Sequence, residues 1–347
     1  MDPTGRKRHE TGTEKPKVIV VTGAAAGLGR AIVRRFAREK AHIGLLARDE
    51  AGLDAARREV ERARGAALAL PTDVADAEQV ENAAEAVERE FGPIDVWVNN
   101  AMVTIFSPFL EIRPEEYRRA TEVTYLGTVH GTRAALTRML PRDRGVVVQV
   151  GSALAYRSIP LQAPYCGAKA AIRAFTDSIR TELLHRGSHV HLAMVQMPAL
   201  NTPQFDWCRS RLPNHPQPVP PIFEPELGAE AVFWAANHRR RELYVGLPTV
   251  VSILGTKLVP GLLDRYLGKT GYDSQQTDDP VTPGRPDNLF EPVPGDFGAR
   301  GSFTTRAHAH SPQFWATTHR TWLLGIAAAA LGVAGTVFGR GLYNRNA

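Results

Sequence analysis

From Val18 onward the chain alternates short apolar runs with stretches of helical periodicity, and no other feature restricts its fold as strongly. VIVV precedes a helical pattern over 30–39, IGLLA one over 51–64, AALAL one over 77–90 and DVWVNN one over 114–139. VVVQVG, a helix over 165–184 and VHLAMVQMP close the series. These runs are apolar throughout rather than alternating, as strands buried on both faces are, and the helices between them are long enough to cross over and cover the sheet. An α/β domain with a doubly wound parallel sheet follows, ending in a helix over 225–237 and the strand ELYVG. The 347 residues exceed one such domain, so a single core with a C-terminal extension is expected.

The first strand runs into T-G-A-A-A-G-L-G, Thr22 to Gly29, and then into an amphipathic helix. Gly23, Gly27 and Gly29 remove side chains where the backbone must bend and approach a pyrophosphate, and a helix starting near Leu28 points free N–H groups and its positive dipole end there. Downstream, Tyr165 and Lys169 stand one helical turn apart in Y-C-G-A-K, with Ser152 thirteen residues before the tyrosine. That spacing puts phenol and ammonium on one helix face, where the positive charge is expected to lower a pKa that is about 10 in free tyrosine. Singly, each element has an ordinary reading: glycines are common in tight turns, Tyr and Lys four apart are frequent on helices, and a serine after a strand often caps a helix. Their joint occurrence in this order selects hydride transfer, with Tyr165 moving the proton and Ser152 hydrogen-bonding the same substrate oxygen.

The second strand ends at Ala47, where an acidic side chain would accept from the adenine ribose, and Arg48 follows. A guanidinium there suits a 2′-phosphate, so NADP(H) is favoured over NAD(H). Asp49 reads more simply as the acid at the start of the next helix.

Over residues 16–246 the chain resembles the short-chain dehydrogenase/reductase family, in the order T-G-x-x-x-G-x-G, Asp73-Val74, Asn99-Asn100-Ala101, Ser152 and Tyr165-x-x-x-Lys169. The resemblance implies a Rossmann-like domain over 16–248 acting as an NAD(P)-dependent oxidoreductase. It gives Asp73 as the adenine-contacting acid, Asn99 as a residue that stabilises the sheet and borders the cofactor, and Lys169 as a holder of the nicotinamide ribose. Pro198 and Thr202 fall at the nicotinamide, with Thr22, Leu28, Val74 and Ala101 in the cofactor-binding motifs. It further implies a homo-oligomer formed through the long helices that precede and contain the tyrosine. Departures are Thr124, where the family usually has the asparagine that links the catalytic lysine to solvent through water, and Met102 and Ala199, each in place of a glycine. Thr124 is expected in the proton relay, rearranged around a hydroxyl. A catalytically weak nucleotide-binding sensor or scaffold is the alternative function, and an epimerase or dehydratase a third.

Substrate choice is expected in residues 199–226, where prolines exclude one continuous helix and Phe205, Trp207, Leu212 and Phe223 favour a lipophilic alcohol or ketone. Residues 249–272 read as an apolar helical extension that closes the cleft, pairs with another subunit or lies at a membrane interface. Residues 273–318 read as a polar linker, and 319–341, uncharged from Trp322 to Phe338, as a candidate C-terminal transmembrane anchor, with an Ala/Gly-rich packing helix as the alternative. Residues 1–15 read as a disordered basic tail without the apolar core of a secretion signal. Cys166 and Cys208, the only cysteines, have no metal-ligand spacing, so no metal is expected and the catalytic domain is placed in the cytoplasm, with membrane contact through the tail. Despite a net charge of +6, arginines such as Arg118 and Arg119 lie among acidic neighbours and read as solvated faces, so no nucleic acid is expected.

Overall fold

The computed structural model describes residues 15–320. Seven strands form one sheet: β1 (Val18–Thr22), β2 (His42–Ala47), β3 (Ala66–Pro71), β4 (Val96–Asn99), β5 (Val146–Ser152), β6 (His191–Met197) and β7 (Glu242–Tyr244). Their spatial order is β7-β6-β5-β4-β1-β2-β3, with every pair parallel. The order reverses beside β1, which opens a crevice at the C-terminal ends of β1 and β4. Helices α1 (Gly27–Ala37), α2 (Glu50–Arg62) and α3 (Ala77–Phe91) follow the first three strands.

The expected helix over 114–139 is continuous but not uniform. It consists of α4 (Pro114–Thr121), a π-helical turn at Glu122–Leu126 and α5 (Gly127–Met139), followed after β5 by α6 (Ala163–His185). The last core helix, α7, spans Pro225–Asn237 as the sequence pattern predicts. One core packs α1, α2 and α7 against Ile19, Val21 and Leu45, and the other packs α3, α5 and α6 against Val20, Trp97 and Val147. Alternate residues of β1 thus serve opposite cores, which is why its run carries no polar face. Inside the sheet Asn99 donates to Gln149 at 2.9 Å and Thr132 at 3.1 Å and accepts from Trp97 Nε1 at 2.8 Å, so its polar atoms are satisfied where solvent cannot reach.

Beyond β6 the chain forms a cover. Before α7 begins at Pro225, residues 199–226 contain the short helix Gln204–Trp207 and extended pieces. The apolar extension folds as α8 (Leu247–Leu258) and α9 (Pro260–Thr270), broken at Val259-Pro260. The expected polar linker over 273–318 is instead packed along the core. Gln276–Pro280 pairs with Asn214–Pro216, Ala307–His308 with Ile222–Phe223, Leu289 is fully buried, and α10 (Pro312–Thr318) inserts Phe314 into the core. Its Pro, Gly and Asp content misleads because this segment builds no core of its own and is held by Arg48 and Arg119 of the domain bonded to its carbonyls and by its own Arg285 bonded to Phe205 O. Among the described residues no helix is long and apolar enough to cross a membrane. The expected span over 319–341 falls, from residue 321 on, outside the described residues, as do residues 1–14 of the amino-terminal tail.

The cover is anchored on Glu116 of α4, whose side chain is fully buried and accepts from Arg209 at 2.6 Å and Arg211 at 2.9 Å. Burial alone would raise its pKa, but hydrogen bonds from Arg211, the Arg113 N–H and Arg209 outweigh it and hold the carboxyl down to about 2. Because the folded value is depressed, this group stabilises the protein fully above the ordinary glutamate range, and the contribution is lost as pH falls toward 2. Glu116→Ala should cost about 2–3 kcal/mol, less than a wholly dry pair because both arginines reach solvent, read as a lower urea midpoint at pH 7. The loss should shrink below about pH 4, where the wild type also sheds this contribution.

Candidate active site

The turn after β1 is shaped by contacts to the next strand end. Thr22 Oγ1 accepts from the N–H groups of Asn100 at 2.9 Å and Ala101 at 3.0 Å, and Asn100 Nδ2 donates to Thr22 O at 2.9 Å. Thr22 therefore ties the loop after β1 to the loop after β4 and does not itself line the cavity. A Cβ at Gly29 would fall 1.9 Å from Gly23 O and 2.7 Å from Asn100 Nδ2, so only glycine lets α1 start this close to the turn. Ala26, at the N-cap of α1, offers no side-chain acceptor, and since the Gly27 N–H is taken by Gly298 O at 2.9 Å, the amides of Leu28 and Gly29 are those left for an anionic group.

One cavity of about 790 Å³ runs past this turn. Gly23, Gly27, Leu28 and Gly29 line it together with Arg48, Asp73, Val74 and Ala101 at one end and Ser152, Tyr165, Lys169, Pro198 and Thr202 at the other. Its size lies within the ~300–1,000 Å³ usual for ligand sites. Asn99, expected at the cofactor border, is absent from the wall, and its neighbour Asn100 takes that place. Asn99 keeps only the sheet-stabilising part of its expected role.

At the catalytic end, Ser152 closes β5, and its hydroxyl accepts from Leu154 N–H at 3.1 Å and hydrogen-bonds the Tyr165 phenol. Lys169, 3% exposed, donates to Val150 O at 2.7 Å and sits 5.6 Å from the Tyr165 ring centroid. The expected acidification of the phenol is reversed: burial pushes Tyr165 up to about 12, the Ser152 hydrogen bond opposes this, and Lys169 takes no part. Burial also brings Lys169 down to about 8. The reason is reach: the ammonium points past the ring to a backbone carbonyl, so desolvation governs both groups.

Thr124 is a second correction. Its hydroxyl is fully buried, donates to Val103 O at 3.1 Å and accepts from Val103 N–H at 3.2 Å, and it does not line the cavity. The π-helical turn aims it at that backbone and not toward Lys169.

The adenine-side residues are also engaged with partners the sequence did not indicate. Arg48 donates to the carbonyls of Phe290, at 2.6 Å, and Asn288, and is lowered from the usual arginine value by burial and by nearby Arg119. Asp73 accepts from Arg119 at 2.5 Å, and Arg119 also donates to Leu289 O at 3.1 Å, so Arg119 is mostly buried and tied to residues around the cleft rather than solvated. Asp49 caps α2, accepting from Gly52 N–H at 2.8 Å, as expected. No periodicity, motif or local charge pattern marks Arg119 or residues 288–297 as part of the cleft surroundings, because Arg119 lies among acidic residues of its own helix.

Comparison with known proteins agrees with this arrangement. The family model described as short chain dehydrogenase matches residues 17–210. The chain is 33% identical over 280 residues to the uncharacterized oxidoreductase YxnA of Bacillus subtilis (strain 168), covering 80% of this chain and 78% of that protein. It is 33% identical over 254 residues to the 3beta-hydroxysteroid dehydrogenase 1 of Eggerthella lenta, covering 71% and 96%. Among solved structures, an alcohol dehydrogenase from the archaeon Thermococcus sibiricus complexed with 5-hydroxy-NADP is similar with a TM-score of 0.58 and 28% identity, covering 67% of this chain and 96% of that one.

If Thr124 serves packing, Thr124→Val should leave the Val103 amide and carbonyl unpaired and cost about 1–3 kcal/mol of stability. Turnover per folded molecule should persist, measured as kcat at 25 °C beside a thermal melt; a collapse of kcat with an unchanged melt would return Thr124 to the chemistry.

Proposed function

Because the chain belongs to the short-chain dehydrogenase family and is an NAD(P)-dependent oxidoreductase of that kind, we propose that it transfers hydride between NADP(H) and a lipophilic alcohol or ketone, with Tyr165 as acid and base. One observation carries this reading: a single cavity joins the glycine turn to Ser152, Tyr165 and Lys169 and continues between apolar side chains. Gly23, Gly27, Leu28 and Gly29 would hold the pyrophosphate, Val74 and Ala101 the adenine, and Pro198 and Thr202 the nicotinamide end. The bound coenzyme supplies the hydride.

The protein's part is proton handling. A phenol held near 12 keeps its proton at neutral pH, so Tyr165 Oη is loaded to protonate an oxygen that becomes an alkoxide. Ser152 donates to the same oxygen once its hydroxyl turns from the phenol to the substrate. Lys169, charged below about pH 8, would hold the nicotinamide ribose. This balance suits carbonyl reduction near neutrality.

A lipophilic substrate fits the outer wall, where Leu154, Phe205, Val251, Leu263, Tyr266 and Leu267 converge. Phe205 and Trp207 reach that wall as expected of the cover, whereas Leu212 and Phe223 are buried and pin it down. The Eggerthella relative is named for a hydroxysteroid, which makes steroid alcohols and ketones natural first compounds. For coenzyme choice, Arg48 lines the adenine end of the cavity directly after β2, where a guanidinium suits a 2′-phosphate, with Asp73 and Glu291 as its acidic neighbours. The same reading includes a homo-oligomer built on α4–α5 and α6, where Leu126 is exposed; sedimentation as a monomer at micromolar concentration would remove that part.

A panel of lipophilic ketones with NADPH, followed by absorbance, tests the activity. Tyr165→Phe should lower kcat by about 10²-fold or more while NADPH binding changes little. In the wild type, reduction should be flat up to neutral pH and decline as Lys169 loses its proton through about 8. Undiminished turnover by the phenylalanine variant would remove Tyr165 from the mechanism. Arg48→Ala should raise the KM for NADPH by about tenfold and that for NADH far less, as loss of a charge-assisted phosphate contact does; equal effects on the two would end the NADP(H) preference.

A further inference from the structure

Residues 285–301 cross the cavity from the adenine end to the nicotinamide end, and nearly every step of the crossing is tied to a residue of the cofactor cleft. At the start, Arg285 donates to Phe205 O at 2.6 Å and to Cys208 O, and Asp287 pairs with Arg209 at 2.8 Å. Leu289 is then fully buried in the core that also contains Val74 and Val123, while the carbonyls of residues 288, 289 and 290 bind Arg48 and Arg119. Farther on, Gly295 N–H donates to Asp49 at 3.4 Å and Asp296 lies 3.4 Å from buried Arg30. Gly298, at a φ of +64° that glycine adopts freely, turns its carbonyl to the Gly27 N–H at 2.9 Å. Gly301 N–H finally reaches Asn201 O at 3.2 Å, beside Thr202.

The crossing walls the cavity and leaves it open except at the Gly27 N–H, which Gly298 O occupies. Asn288, Pro292, Val293 and Phe297 face the same space as Gly23, Gly29, Arg48 and Val74, and that space stays continuous to Tyr165. A dinucleotide lying along the strand ends would therefore have the sheet's loops on one side and this strap on the other. The strap is also locked to the substrate cover: Trp207 packs edge-on against Phe297 at 4.4 Å between ring centroids, and Asn288 N–H donates to Trp207 O at 2.9 Å.

Resting on the dinucleotide reading above, we propose that residues 287–298 form the outer wall of the coenzyme site, so that NADP(H) enters and leaves only when this strap lifts. Its hold on the coenzyme is steric enclosure together with the fixing of Arg48 and Arg119 by three backbone carbonyls, which sets both guanidinium groups at the adenine end. Since the strap and the cover share Trp207, Phe205 and Cys208 as attachment points, coenzyme release requires those contacts to open as well.

The test compares NADPH release from the full-length protein and from two strap variants, chasing bound NADPH with excess NADP⁺ and following its fluorescence. Arg285→Ala frees the start of the strap, and Leu289→Asp expels its buried anchor; the first carries the test if the second does not fold. Release should quicken by about tenfold or more, because lost enclosure acts chiefly on dissociation rates. Amide hydrogen exchange across 287–298 in the wild type should slow when NADPH is added, a readout independent of turnover. Unchanged release with unchanged exchange would overturn the proposal, and so would tighter binding by the variants, which would mean that the strap competes for the Gly27 amide. If the wild type binds neither NADPH nor NADH, the dinucleotide reading itself falls; if it binds them but the variants release them normally, only the strap's role does.

Discussion

A parallel sheet covered by helices on both faces leaves polar chemistry only at its strand ends, and the whole cleft of this protein follows from that constraint. β1 has buried residues on both sides, so its loop must emerge at the edge, where Thr22 ties it to the loop after β4. The glycine turn, the ends of β2 and β3, and Ser152 at the end of β5 all open on that one edge. Helices α1 and α6 then add backbone amides and a phenol from either side.

Electrostatics inside the cleft is governed by desolvation more than by pairing. Tyr165 and Lys169 are neighbours on α6, yet burial moves the phenol up and the ammonium down, each toward its own neutral form. A proton-loaded phenol beside a marginal ammonium is a different starting point from the ionised tyrosine that helix spacing suggests. At the opposite end Arg48 and Arg119 stand close together with the carboxylates of Asp73 and Glu291 beside them. Glu116 shows the contrasting case, in which arginine hydrogen bonds outweigh burial and hold the carboxyl ionised.

Much of the fold and part of the site were readable from residues alone. The sheet, α7 and the bounds of α6 follow from runs and periods that any local window contains. The glycine turn and the Tyr165 to Lys169 spacing are equally local, and both line the cavity. Thr124 was misplaced because a π-helical turn shifts its direction, which no period reveals. Residues 273–318 were misread as a linker because their apolar anchors, Leu289, Phe303 and Phe314, are isolated in a polar background. Their binding partners lie in the domain, far away along the chain.

What the amino-acid order determined unaided was the succession of buried strands and covering helices, the phosphate-ready turn and the reactive side chains, since each depends on neighbours within a few turns of chain. What only the tertiary structure decided was the state and company of those groups: the direction of the Tyr165 shift, the bonding of Thr124 to Val103, and the carbonyls that hold Arg48. Arg48 and Phe290 are 242 positions apart, and a contact at that separation is set by how the extension wraps the domain. Burial and partnership are properties of enclosed space, and that space exists only once distant segments have closed around it.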